Sequence, residues 1–190
     1  FIEDTPVKVT LEDGTFWEPE NFDKKSHGRI MIRDALIHSY NQATVAMGLE
    51  IGLPPFAEEI RTILPGIDVE ETPSLFLGAL DCSPLEVAML FSAFANMGHF
   101  VEPSCIRTIL NENGTILHRE VPSGRTQVLD PSAVYLINSV LIEVVTSGTA
   151  RSAQMYGIPE GICGKTGTTN DLRDSWFVGF TGDVVVAVWL

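Results

Sequence analysis

The sequence predicts an α+β fold, and three observations carry that prediction. Helical apolar periodicity dominates residues 29–161. Three strand-like runs follow at 162–168, 175–180 and 184–190. The last two runs are joined by Thr181-Gly182-Asp183, which makes them antiparallel neighbours. Helices gathered ahead of antiparallel strands indicate α+β, not an alternating α/β sheet. A chain of 190 residues is long enough for one domain with a sizeable core.

Residues 1–28 read as a polar loop or hairpin region, with Asp13-Gly14 as a turn between Val7-Lys8-Val9 and Thr15-Phe16-Trp17. A helix is expected from about Arg29 to His38, with Ile32, Ala35 and Leu36 on one face. Ser39-Tyr40-Asn41 interrupts it. A second helix then runs to Gly52, with Asn41 as its N-cap and Val45, Ala46 and Leu49 on one face. Pro55 opens a further helix that Pro65-Gly66 closes. Ser83-Pro84-Leu85-Glu86 is a capping box; its helix carries Val87, Ala88, Phe91, Phe94 and Ala95, with Gly98 expected at C′. Asn113-Gly114 predicts a hairpin near 106–118 within the mainly helical part. Asp130-Pro131 starts a long helix with Val134, Ile137, Leu141 and Val144 at helical spacing, ending at Gly148.

Composition narrows the function. With 12 basic against 25 acidic side chains the net charge is −13, which repels phosphate and disfavours nucleic acid as a partner. A hydrophobic content of 45% argues against disorder. The longest apolar run, 184–190, is far short of the roughly 20 residues a membrane helix needs. Cys82, Cys105 and Cys163 form no CxxC, so neither a disulfide framework nor a zinc site is expected. His27, His38, His99 and His118 share no i, i+4 pair and read as surface or cap residues. The abrupt start at Phe1 and the stop on a β-branched run favour a fragment over a domain that happens to end on a strand.

Motifs for the commonest hydrolases, zinc proteases and nucleotide binders are missing: no GxSxG, HExxH, GxxxxGK[ST] or GxGxxG occurs. The informative run is Gly164-Lys165-Thr166-Gly167-Thr168-Thr169 on a predicted strand. Thr166 and Thr168, two apart, share one face. Gly167 between them admits the close approach of another backbone. Lys165, one of only four lysines, adds an ammonium at that edge. Such an edge suits an anion, although a glycine-rich turn with a solvated lysine would read the same way. Ser39-Tyr40-Asn41, between two helices, reads by itself as a helix-breaking serine followed by an asparagine cap, and only its order and context relative to KTG raise it above that.

Together, and in that order, SxN and KTG match the penicillin-recognising serine enzymes, whose motif set is SxxK, SDN and KTG. The chain most resembles the transpeptidase domain of class A, bifunctional penicillin-binding proteins. The likeness extends over Gly14-Thr15-Phe16-Trp17-Glu18-Pro19-Glu20-Asn21, Arg33 to Asn41, Leu77-Gly78-Ala79-Leu80, Ser83 to Ala88, Gly98 before Pro103, and Gly148-Thr149-Ala150-Arg151. It ends with Gly164 to Asp171 leading into Trp176-Phe177-Val178-Gly179. These blocks keep the family's order over nearly all of 1–190. They imply part of the β-lactamase/transpeptidase-like fold: an antiparallel sheet with a mainly helical subdomain.

No SxxK exists here, because the residues three before Lys8, Lys24, Lys25 and Lys165 are Thr5, Asn21, Phe22 and Ile162. The resemblance places that motif upstream of Phe1, so a fragment without its nucleophile is expected; a catalytically inactive peptidoglycan- or penicillin-binding-like module is the alternative. The resemblance further implies a peptidoglycan D,D-transpeptidase that acts through a serine acyl-enzyme and is a target of β-lactams. Its partners would be stem peptides ending in D-Ala-D-Ala and an N-terminal part including a glycosyltransferase domain. It implies no cofactor, no metal, and a place on the periplasmic face of the bacterial inner membrane, anchored by a helix outside this chain. By position, Ser39, Asn41 and Lys165 would be catalytic, and Lys165, Thr166, Gly167 and Thr168 would bind substrate. The Thr168 N–H would supply half the oxyanion hole. Cys163 beside the KTG strand reads as either a buried thiol or an oxidisable one.

Overall fold

The computed structural model describes residues 1–121, 124–169 and 173–190. In chain order its strands and α-helices are β1 (Ile2–Asp4), β2 (Val9–Thr10), β3 (Phe16–Trp17), β4 (Gly28–Ile30), α1 (Ile32–His38), α2 (Asn41–Ile51), α3 (Leu53–Ile63), α4 (Pro84–Ala95), β5 (His99–Phe100), β6 (Thr108–Leu110), β7 (Ile116–Arg119), β8 (Thr126–Gln127), α5 (Pro131–Thr146), β9 (Cys163–Thr168), β10 (Ser175–Phe180) and β11 (Val185–Trp189). The fold is α+β. Its principal sheet is antiparallel in the order β11-β10-β9, which leaves β9 on an edge. No helix among the described residues is long and apolar enough to cross a membrane.

The main core joins this sheet to α4 and α5. Leu141, Val144 and Val145 of α5 pack with Ala150, Cys163 and Phe180, and Phe91 and Phe94 of α4 close the cluster. Phe91 and Phe180 meet with ring centroids 6.2 Å apart, within the range of favourable tilted aromatic pairs. Cys163 is a buried thiol: its Sγ donates to the Asn138 carbonyl at 3.4 Å, and burial pushes its pKa up. That resolves the earlier alternative in favour of an inert thiol.

Caps set the helix ends. Ser83 Oγ accepts from Glu86 N and the Glu86 carboxylate accepts from Ser83 N, completing the expected capping box. Asp130 caps α5 through Ser132 N and Ala133 N, at 2.9 and 3.0 Å. At the end of α4 the residue at C′ is Met97, with φ +54°, and not Gly98. Gly98 sits one further on, where its N–H reaches Ala93 O at 2.7 Å in a Schellman turn. A side chain there would strike Leu129 O, so glycine is demanded by close approach as well as by φ.

Several local expectations yield to tertiary packing. Arg29 lies in β4, paired antiparallel with Glu3, so α1 begins three residues later than the periodicity indicates. That pairing buries Ile2 and brings Ile30 against Ala35 and Ala43. Ile32 is consequently 48% exposed, and Ala35 and Ile37 are the buried residues of α1. In α2 the buried set is Gln42, Ala43, Val45 and Gly48, whereas Leu49 is 46% exposed. The rotation has a cause: Phe76 packs flat on Gly48, where a Cβ would lie 2.4 Å from its ring. Ile137 of α5 also remains partly exposed, outside the Leu141–Val144–Val145 cluster.

The decisive packing event is the approach of α5 to α1. Gly148 lies against the carbonyl of Ile37, where a Cβ would come within 2.4 Å of the oxygen. Thr149 N donates to that same carbonyl at 3.3 Å, and Arg33 pairs with Glu143 across the two helices. Gly148→Ala must therefore displace backbone. It should cost about 1–3 kcal/mol, as overpacking does, read as a lower urea midpoint with an unchanged m-value.

Candidate active site

The site forms where the end of α1 meets the edge strand β9. Ser39 terminates α1 in the left-handed conformation, φ +57° and ψ +47°, a strained state for a non-glycine residue. Tyr40 N closes the turn on Ala35 O at 2.9 Å. The turn presents the Ser39 hydroxyl to β9, where Lys165 Nζ donates to Ser39 Oγ at 2.9 Å. Residues 126 positions apart are thus in direct contact.

Lys165 Nζ also donates to Thr166 O at 2.8 Å. No carboxylate pairs with it among the described residues, and burial alone lowers its pKa to about 8. Desolvation disfavours the ammonium, so this amine can exchange a proton with a neighbouring hydroxyl close to neutral pH.

Strand geometry fixes which groups face outward. Ser175 and Leu190 exchange both backbone hydrogen bonds, and Thr169 N donates to Asp174 O at 3.2 Å. In an antiparallel ladder that alternation turns the N–H groups of Thr166 and Thr168 toward the free edge of β9. The Thr166 and Thr168 side chains share a face, and Thr168 is exposed. Gly167 backs onto Trp176, whose Cβ would lie 3.1 Å from a Cβ at that position. Asn170 and Asp171 of the same run lie outside the described residues.

Asn41 is not the N-cap of α2. It is the first helical residue, and Tyr40 precedes it without a side-chain capping bond. Asn41 Nδ2 instead donates to Glu20 O at 2.7 Å, which leaves Oδ1 as the atom able to accept from a ligand or a lysine.

The capping is done from a distance. Asp4 is fully buried, and its carboxylate accepts from Ala43 N at 3.1 Å. Asn21 Oδ1 accepts from Gln42 N at 3.2 Å, so two side chains remote in sequence satisfy the first free donors of α2. Asp4 further accepts from Asn21 Nδ2, His27 N and His27 Nδ1, at 2.8, 2.9 and 2.7 Å. His27 is therefore a partner inside this network and not a surface residue; its ring stacks on Tyr40 at 4.0 Å between centroids. Sequence reasoning missed Asp4, Asn21 and His27 as a unit. A capping acceptor 39 residues away leaves no local signal.

Burial raises the Asp4 pKa, but the hydrogen bonds from Asn21, His27 and Ala43 outweigh it, and the net shift is downward. A carboxylate depressed on folding contributes stability that is present above its unfolded pKa and lost as pH falls through the folded one. Asp4→Asn should therefore flatten the acid limb of a urea-stability profile. Asp4→Ala should cost about 2–3 kcal/mol at neutral pH, because buried donors are left unpaired.

Known proteins resemble this chain along nearly all of its length. The penicillin binding protein transpeptidase domain family matches residues 6–189. Penicillin-binding protein 1B of Escherichia coli (strain K12) is 34% identical over 193 residues, covering 100% of this chain and 23% of that protein. Penicillin-binding protein 1A of Neisseria gonorrhoeae is 35% identical over 198 residues, covering 100% of this chain and 24% of the relative. The chain thus spans about a quarter of the length of these relatives. The crystal structure of penicillin-binding protein 1A from Haemophilus influenzae superposes with a TM-score of 0.90 at 23% identity, over 99% of this chain and 34% of the other. An imipenem acyl-enzyme complex of penicillin-binding protein A from M. tuberculosis gives 0.82 at 20% identity, over 100% and 48%. At those identities the likeness shows the fold, and the family follows from the match across 6–189: the chain belongs to the penicillin-binding protein transpeptidase domain family, and its relatives 1A and 1B bear out the class A resemblance read from its motifs.

Proposed function

We propose that this chain forms the recognition edge and part of the proton-transfer machinery of a peptidoglycan D,D-transpeptidase. The observation that carries the reading is the contact between Lys165 Nζ and Ser39 Oγ, which unites the two motifs at one groove. The acylated serine of SxxK is contributed by sequence outside these 190 residues, which by themselves are inactive. The relatives' greater length, of which this chain spans about a quarter, supports that division and leaves room for a glycosyltransferase domain and a membrane anchor. The donor substrate is a stem peptide ending in D-Ala-D-Ala and the acceptor is an amine of a neighbouring stem peptide, both met at the periplasmic face of the inner membrane. β-Lactams occupy the same groove.

The reaction runs in two halves. The nucleophilic serine oxygen attacks the carbonyl carbon of the penultimate D-Ala, the C–N bond breaks, and the serine proton ends on the departing D-Ala amine. An amine of a second stem peptide then attacks the ester carbon, the C–O bond breaks, and the proton returns to the serine. Ser39 passes the proton between Lys165, the SxxK lysine and the leaving nitrogen; the pKa of about 8 at Lys165 suits that exchange. Asn41 Oδ1, left free by the bond from Nδ2 to Glu20 O, accepts from the substrate amide and orients the SxxK lysine. Thr166 and Thr168 donate hydroxyl hydrogens to the terminal carboxylate beside the Lys165 charge, and Gly167 admits the peptide backbone. The Thr168 N–H on the free strand edge donates to the developing oxyanion.

The gene upstream of Phe1 should encode SxxK, and the full-length protein should be labelled by a fluorescent penicillin. Lys165→Ala should slow that labelling by about 100-fold or more, in line with loss of a proton-transfer group. An intact protein that takes no label would favour a binding module without catalysis. Because Lys165 loses its charge as pH rises through about 8, capture of carboxylate-bearing β-lactams should weaken above that pH. Stopped-flow acylation from pH 6 to 10 tests this.

A further inference from the structure

Thr149 has no part in the roles above, yet its hydroxyl lies 2.7 Å from that of Thr166. Its backbone is held independently: Thr149 N donates to Ile37 O, and Gly148 before it is wedged against the same carbonyl. The residue is exposed, so the hydroxyl pair lies where a ligand can reach it, and it fills no part of the core. An exposed hydroxyl pair of this kind contributes little to folding.

The chemistry of the pair is asymmetric. Two hydroxyls at this separation share one hydrogen, and the accepting oxygen keeps its own hydrogen for a third group. When Thr149 donates, the Thr166 O–H is released from the pair and strengthened as a donor. Lys165 Nζ already places two of its three N–H donors on Ser39 Oγ and Thr166 O, which leaves at most one for a ligand beside its charge. Recognition of a carboxylate at this edge therefore leans on correctly turned hydroxyls.

We propose that Thr149 is a positioning residue of the anion-binding edge, which by donating to Thr166 turns the Thr166 O–H toward the ligand's carboxylate. The inference rests on the transpeptidase reading above and extends it to a residue outside SxN and KTG. In the full-length protein, acylation rate constants are measured for benzylpenicillin and for its methyl ester, which lacks the anion. Thr149→Val keeps the side-chain shape without the hydroxyl and should lower the preference for acid over ester about tenfold. Thr149→Ser should restore it, and the circular dichroism melts of both variants should match the parent. A valine variant that slows both probes equally would mean a merely structural role and overturn the proposal, as would one that changes neither. A parent protein acylated by neither probe would instead overturn the transpeptidase reading itself.

Discussion

The site depends on one steric permission, the absence of a side chain at Gly148. Only hydrogen there lets the end of α5 rest on the Ile37 carbonyl. Ile37 stands two residues before Ser39, and Gly148 one before Thr149. Their contact thus sets Ser39 against Lys165 and Thr149 against Thr166 at once. Helix α5 is held in turn by the core it shares with β9 and α4, so the junction transmits the position of the sheet edge to the end of α1. The Arg33–Glu143 pair spans the same seam, but as an exposed ion pair it adds at most about 1 kcal/mol.

Electrostatics divide between two buried groups of opposite sign. Asp4 is fully enclosed and fully satisfied, with hydrogen bonds to Asn21, His27 and Ala43, so its charge is stabilised where it sits. Through it the N-terminal strand, the 20–27 loop and the start of α2 are tied together, and Asn41 at that start bonds Glu20 O of the same loop. Lys165 is the reverse case: a desolvated cation with neutral partners and a lowered pKa. The first arrangement builds a rigid support, whereas the second leaves a group whose proton is easily exchanged. A net charge of −13 over the whole chain is compatible with one local cationic edge because surface charges are screened within about 10 Å.

Much of the fold was legible because its signals are local. The Ser83–Glu86 box, the Asp130 cap and the turn at 181–183 each act within a few residues, and each forms. Where helix faces were misread, the cause lies across the molecule. Leu49 is displaced from the buried face of α2 by Phe76 on Gly48, and Arg29 is drawn into a strand by Glu3. The reading of Gly98 as C′ missed Met97 because a left-handed methionine is uncommon and carries no sequence signature. Asn41 looks like a cap by type, but α2 is capped instead by Asp4 and Asn21, which spacing cannot reveal.

From the sequence by itself came the identity of the chemical groups: one lysine and two hydroxyls alternating along a strand, a serine and an asparagine between two helices, and no SxxK. Those follow from residue type and from strand periodicity, which are properties of short segments. Tertiary structure alone decided which of these groups meet, how far Lys165 is desolvated, and that Thr149 joins Thr166. Distances between remote residues and the removal of water are consequences of packing, and packing is a property of the whole chain.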